Sequence, residues 1–268
     1  MKLTVLVDNY TYIDMYYLGE PALSFYIEDG DKKFLFDSAY SDVFIKNASK
    51  MKIELQELNA MILSHGHNDH SGGLQYLRKT HKGLRIIAHP DAFAYRQDDT
   101  GLPIGSPLSL DEVSKGFDLS FSKEPLRISE HLYYLGQIEG CFDFEKRYPI
   151  GKKIYEDLLS DDYILDDTAL AYKGKDGLFI ITGCSHSGIC NIIEQAKRVC
   201  NDQRITGVIG GFHLFENDER LQATIDYLAA NEIRMLYPCH CVSLKAKTEM
   251  AKRLEINEVG VGLEVEID

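Results

Sequence analysis

Ser64-His65-Gly66-His67-Asn68-Asp69-His70-Ser71-Gly72-Gly73 follows directly on the apolar run Ala60-Met61-Ile62-Leu63. Three imidazoles and one carboxylate fall within six residues at the end of what reads as a strand. In an extended chain His65 and His67 share a face; in a loop all four groups can turn inward around a cation. Neutral imidazole and carboxylate are ligands for zinc, iron or manganese, and four of them can serve two ions. Gly66 permits a tight path, and Gly72 and Gly73 let the next helix start close by. A lone histidine is usually structural or solvated. Four ligand-type groups in this order point to a metal.

Working outward, the first ninety residues read as short strands with one clear helix. Lys2–Val7, Ala22–Glu28, Lys33–Asp37, Ala60–Ser64 and Leu84–Ala88 are strand-like, and Asp29-Gly30-Asp31 has the chemistry of a hairpin turn. The helix is expected from Gly72 to about Lys79. From about 90 to 167 the chain changes character and carries five of its seven prolines. This stretch reads as an elaborated excursion with short strands near Arg127–Leu135. Its Tyr95, Arg96, Arg147 and Tyr148 would suit a lid or pocket wall, or else a surface insertion without a role. From Thr168 onward strands and helices alternate: strands at Leu178–Thr182, Ile205–Ile209, Arg234–Tyr237 and Val261–Ile267, helices near Ile189–Cys200, Asp218–Asn231 and Leu244–Arg253. That order predicts two sheets with helices outside, a layered α/β arrangement.

Three further histidines stand at or just past strand ends in this second half: Gly183-Cys184-Ser185-His186, Gly210-Gly211-Phe212-His213 and Pro238-Cys239-His240-Cys241. Strand ends on one sheet edge are where α/β proteins build sites, so the three are expected to converge on the first cluster. Ligands this far apart in sequence argue for a single domain over residues 1–268. Of the other histidines, His81 and His131 read as solvated or surface groups, and His89, ahead of Pro90, as a minor candidate.

His-x-His-x-Asp-His after a strand is the signature of the metallo-β-lactamase superfamily, and the chain resembles it over nearly its whole length. Phe34-Leu35-Phe36-Asp37 looks like the strand-end aspartate that precedes the signature there and orients the metal-binding loop. Val7-Asp8-Asn9, Asp166-Asp167-x-Ala169-Leu170, Gly183-Cys184-Ser185-His186-Ser187-Gly188, Asn191, the Gly-Gly-Phe-His213 run and His240-Cys241 narrow the match. They are similar to the dihydropterin ribofuranosyl-aminobenzene phosphate synthase-type branch, metal-dependent hydrolases of β-lactamase superfamily II. The resemblance implies a four-layer αββα sandwich, with the insertion at about 90–167. It implies that His65 and His67 bind one metal, completed by His186, and that Asp69 and His70 bind the other, completed by His240. His213 is then either a ligand or, as preferred, a proton donor near the metals. Many members carry Gly-Asp where this chain has Gly183-Cys184, and that aspartate bridges the metals. Here the bridge falls to Cys184, to His186 or to hydroxide alone.

The chemistry implied is hydrolysis of an ester, thioester or phosphodiester-type small substrate by a metal-bound hydroxide. One or two divalent ions, zinc first and iron or manganese as alternatives, lower the pKa of a water and stabilise the oxyanion. Asp69 is both ligand and catalytic group, Asp37 orients, and His213 protonates the leaving group. A metal-assisted synthase acting on a pterin or phosphorylated aromatic is the alternative. A non-catalytic metal- or redox-sensing module built on Cys184, Cys239 and Cys241 is the third reading; an extended Cys-His-Cys would put both thiols opposite His240.

Composition bounds the rest. With 44% hydrophobic and 26% charged residues the chain is ordinary globular protein, not a disordered one. Lys plus Arg is 29 against 42 Asp plus Glu, a net charge of −13, which disfavours nucleic acid and anionic membrane as partners. Two divalent ions would add about +4 at the site, so an anionic small molecule remains the expected substrate. The N-terminus lacks a signal-peptide pattern, and the six cysteines form no Cys-x-x-Cys set, so a cytoplasmic chain with reduced thiols is expected; homo-oligomerisation stays open. The acidic runs Asp161-Asp162 and Asp166-Asp167 read as solvated turns, and Gly260-Val261-Gly262 lacks the lysine and helix of a phosphate loop.

Overall fold

Apolar runs bounded by turn residues become strands nearly where their patterning puts them. The computed structural model describes residues 1–155 and 158–268. In chain order the first strands are β1 (Lys2–Val7), β2 (Ser24–Asp29), β3 (Lys32–Phe36), β4 (Ala60–Ile62), β5 (Arg85–Ala88), β6 (Tyr95–Gln97), β7 (Asp118–Phe121) and β8 (Leu126–Arg127). They continue as β9 (Leu132–Tyr134), β10 (Lys152–Tyr155), β11 (Leu158–Asp161), β12 (Ala169–Lys173), β13 (Leu178–Thr182), β14 (Ile205–Gly210), β15 (Met235–Pro238) and β16 (Glu264–Glu266). The helices are α1 (Val43–Met51), α2 (Asn68–Ser71), α3 (Leu74–Leu77), α4 (Leu110–Ser114), α5 (Ile189–Cys200), α6 (Glu219–Ala230) and α7 (Leu244–Met250).

The chain forms two compact units. The first comprises Met1–Lys123, Tyr148–Asp166 and Gly260–Glu266; the second comprises Glu124–Arg147, Asp167–Val259 and Ile267–Asp268. The first carries a seven-stranded sheet in the order β16-β1-β2-β3-β4-β5-β7 and a small sheet β11-β10-β6. Its main sheet is antiparallel from β16 to β3 and parallel from β3 through β4 and β5 to β7. Leu35, Met61 and Ile86 on these strands pack with Phe44, Leu74 and Leu77 of the helices as one buried core. The second unit carries a six-stranded sheet, β15-β14-β13-β12-β9-β8, with β13, β14 and β15 parallel. Ile180, Val208 and Leu236 pack there with Ile189, Ile193, Leu221 and Leu228. Each fully buried Leu or Ile contributes about 1.5–3 kcal/mol, so either unit has a core that needs no disulfide. None of the six cysteines is in one.

Several expectations need correction. Helix α1 was missed among the strands of the first ninety residues. Its inner face carries Phe44, Asn47 and Ala48, and the polar Asn47 hides the apolar period. Asn47 is tolerated inside because its amide donates to the Leu6 and Leu18 carbonyls and accepts from Leu18 N–H. His81 is buried, with Nδ1 beside the Thr80 hydroxyl, not solvated. Asp162, Asp166 and Asp167 are likewise fully buried rather than solvated turns, for reasons given below. Of the stretch 90–167, in which Glu156 and Asp157 lie outside the described residues, 90–123 and 148–166 belong to the first unit and 124–147 and 167 to the second.

Candidate metal centre

In the first unit, β4 delivers the chain to the His65–His70 segment, and α2 begins at Asn68 with His67 extended as its N-cap (φ −66°, ψ 150°). His65 and His70 are fully buried and His67 nearly so, while the Asp69 side chain keeps 29% exposure. The ring nitrogens converge: His65 Nε2 lies 3.0 Å from His67 Nδ1, and His70 Nε2 lies 3.6 Å from Asp69 Oδ2. Burial, helped by the Arg96 charge, pushes the His67 imidazole down to about 4, so it is neutral at pH 7 and keeps a lone pair for a cation.

Asp37 holds this arrangement. It stands just past β3 in the left-handed region (φ 60°) and accepts three hydrogen bonds: from Ser64 N–H, from the Ser64 hydroxyl and from His70 Nδ1, each 2.7 Å. Ser64 Oγ also lies 3.0 Å from His65 Nδ1. Engaging the Nδ1 side of His65 and His70 leaves Nε2 as the ligand atom of each, the usual way carboxylates set imidazole orientation.

A second brace lies under Gly66. Its N–H donates to Asp166 Oδ2 at 2.8 Å, while Arg96 donates to Asp166 Oδ1 at 2.5 Å and to Asp162 Oδ2 at 2.6 Å. Burial works against an ionised Asp166, but the Arg96 guanidinium and the Gly66 N–H outweigh it and hold the carboxyl below its usual range. A Cβ at Gly66 would overlap the Ala92 carbonyl and the Arg96 side chain, which is why the path requires glycine. Ser64, Arg96, Asp162 and Asp166 were not singled out from sequence for this role. The one available signal was the strong resemblance around Asp166-Asp167, read there only as a family mark.

In the second unit, His186, His213 and His240 stand on the loops that follow the parallel strands β13, β14 and β15, hence on one sheet edge. Ser185, His213 and His240 all adopt left-handed backbone (φ 58°, 50° and 53°) without being glycine. Such residues cost of order 1 kcal/mol each and persist where surrounding bonds over-determine them. Here Ser185 Oγ donates to Gly211 O, Cys239 N–H to Gly210 O, and Leu214 N–H to Cys241 O. His240 takes a left-handed turn and not the extended path that would set both thiols opposite it; Cys239 is buried and Cys241 partly exposed. The His186 and His213 rings lie 4.5 Å apart, and Cys184 and His240 offer ligand atoms within 4.8 Å of each other. Asp167, adjacent to Asp166, belongs to this unit and accepts from both the N–H and the hydroxyl of Ser187; burial pushes its carboxyl up. His89 caps the turn at Pro90 by accepting from Asp91 N–H and lies near enough to Asp166 to act on its carboxyl, and His131 is partly exposed.

Residues 18–199 match the sequence profile of the metallo-beta-lactamase superfamily. The chain belongs to the metallo-beta-lactamase superfamily. It is 31% identical over 262 residues to the 7,8-dihydropterin-6-methyl-4-(beta-D-ribofuranosyl)-aminobenzene-5'-phosphate synthase of Methanocaldococcus jannaschii, covering 92% of this chain and 89% of that one. It also superposes, with a TM-score of 0.87 and 28% identity, on the crystal structure of a metal-dependent hydrolase of the beta-lactamase superfamily, over 100% of this chain and 99% of that one. A diphosphatase from the PhnP family shares the superfamily fold at TM-score 0.58 and 13% identity. The α/β metallo-beta-lactamase fold expected from the histidine motif is thus the fold of the chain. Superfamily enzymes use divalent metals; the imidazole and carboxylate groups of the first unit, and separately the imidazole and thiol groups of the second, are ligand types for such ions. Among the described residues no helix is long and apolar enough to cross a membrane.

Proposed function

We propose that this protein is a metal-dependent hydrolase that cleaves an ester, thioester or phosphodiester-type bond in a small anionic substrate. The observation that carries the reading is the cluster of His65, His67, Asp69 and His70 with its ring nitrogens preset by Asp37 and Ser64. In this reading residues 1–268 act as one domain. His65, His67 and His186 hold one ion and Asp69, His70 and His240 a second, zinc being the first candidate and iron or manganese the others. Cys184 takes the place that many related enzymes give to an aspartate. When bound, such ions supply Lewis acidity and lower the pKa of a coordinated water. The chain's own residues do the remainder. Asp37 keeps His70 in the required tautomer, and burial keeps His67 unprotonated. His213, partly exposed and packed against Phe215, delivers a proton to the leaving group. The six thiols suit a reducing, cytoplasmic setting.

Asp69→Ala tests this directly: metal content by elemental measurement and hydrolysis of a phosphodiester, thioester and lactone panel should fall together. Full activity in metal-free Asp69→Ala protein would sink the proposal. The identity to the archaeal synthase over nearly the whole chain supports a second reading, metal-assisted condensation on a pterin or phosphorylated aromatic. Turnover in oxygen-18 water separates the two, because only hydrolysis leaves the label in the product.

A further inference from the structure

We propose that a cleft beside Asn68 receives a planar aromatic ring of the substrate; this rests on the hydrolase reading and narrows its substrate to one that bears an aryl group. The cleft, about 380 Å³, lies wholly in the first unit and is walled by Tyr40, Tyr76, Tyr95, Pro103 and Pro107, with Asn68 at its edge. That volume is within the range of small-molecule sites. Asn68 stands between His67 and Asp69, so the cleft adjoins the donor cluster.

The chemistry of the wall selects the ligand. Three tyrosines and two prolines are among its lining residues, beside the polar Ser41, Gln75 and Ser106, and Tyr40 and Tyr95 are 53% and 48% exposed. A single exposed tyrosine needs no explanation, but two on one concave wall next to candidate metal ligands do. An inserted ring gains offset-stacked or edge-to-face contacts from them, whereas a saturated ring of the same size gains only area.

The wall is also rigidly tied to the donor loop. His67 pairs with Gly105 in an isolated β-bridge, and Asn68 N–H donates to Ile104 O at 2.9 Å. In strand β6 Tyr95 is exposed and lines the cleft, while Arg96, which lines it too, is buried and donates to the Asp166 carboxylate that holds Gly66. Ring site and donor loop therefore share one framework, which is what positioning a scissile bond requires.

The test compares 2-naphthyl phosphate with decahydro-2-naphthyl phosphate, which carry the same anion on a flat and a puckered bicycle of equal carbon count. Binding is measured by calorimetry on the full chain as purified, with and without EDTA. The naphthyl compound should bind about tenfold more tightly in both conditions. Tyr40→Ala and Tyr95→Ala should each remove most of that preference, and Tyr95→Phe should keep it. Far-UV circular dichroism confirms that these half-exposed substitutions leave the fold intact. Equal affinities for the two phosphates, or a preference that survives in the Tyr40→Ala/Tyr95→Ala double variant, would overturn the ring site. The two proposals fail separately. A chain that prefers the naphthyl compound but hydrolyses neither phosphate nor any of the diester, thioester and lactone panel overturns the hydrolase reading alone. One that hydrolyses both phosphates without distinguishing them overturns the ring site alone.

Discussion

Asp166→Asn is the substitution that most directly probes how the donor loop is held. The side chain keeps its shape and volume, yet each carboxylate oxygen already accepts from a different donor: Oδ2 from Gly66 N–H and Oδ1 from Arg96. An amide can satisfy only one of them, and its NH₂ then faces a second donor in a place with no solvent, since Asp166 is fully buried and Arg96 is 1% exposed. Losing a hydrogen bond to a charged group costs about 1.5–3 kcal/mol, and leaving a buried polar group unmatched costs about 1–3 kcal/mol more. Arg96 retains Asp162, which limits the damage, so a loss of about 3 kcal/mol is expected, a large share of a typical total of about 5–15 kcal/mol. Urea unfolding at pH 7.5 in EDTA reads this without the added stabilisation of bound metal. With a slope of about 2 kcal/mol/M the midpoint should fall by about 1.5 M at unchanged slope. Because the Asp166 carboxyl is held below its usual range, its contribution is present above the unfolded-state value and is lost as pH falls through the folded-state value. The gap between parent and variant should therefore narrow only under strongly acidic conditions. A midpoint within about 0.3 M of the parent at pH 7.5 would refute the claim that this carboxylate braces the loop.

Three other outcomes follow from the same geometry. Asp37→Asn should weaken metal affinity about 10–100-fold, read by competition with a chromophoric chelator, because a single amide oxygen cannot accept from both Ser64 N–H and His70 Nδ1, which use different carboxylate oxygens. Gly66→Ala should lower Tm and metal content together, since the added methyl meets the Ala92 carbonyl, a backbone atom that cannot rotate away. In metal-stripped protein the His67 imidazole is depressed to about 4 from its ordinary 6.5. The unfolded chain then binds the extra proton first, so stability should fall as pH drops from about 6.5 to 4, by up to about 3 kcal/mol from this group. Urea midpoints measured across that range in EDTA check it, and His67→Gln should flatten the slope.

Much of the fold was legible because periodicity is a local property. The parallel strands β13, β14 and β15 and the helices α5, α6 and α7 lie where apolar spacing placed them, bounded by Gly, Asn and Asp. Helix α1 was not legible, because a buried asparagine occupies its inner face and is satisfied by carbonyls from Leu6 and Leu18, far outside any local window. The acidic pairs near 162 and 166 failed for a related reason. In a one-dimensional reading a carboxylate beside other carboxylates looks solvated, and only the approach of Arg96 to Asp162 and Asp166, and of Ser187 to Asp167, makes burial affordable.

The donor types and their order, His65, His67, Asp69 and His70 after an apolar strand, were determined by the sequence alone, because side-chain chemistry and the spacing of a short loop survive without a fold. The strand-end placement of His186, His213 and His240 was determined the same way. What turns each imidazole was decided only by tertiary structure. Asp37 reaches His70 across 33 residues, and Asp166 reaches Gly66 across 100. A hydrogen bond needs its partners within about 3 Å and aligned, and no pattern of residues along the chain encodes which distant carboxylate will arrive at that distance.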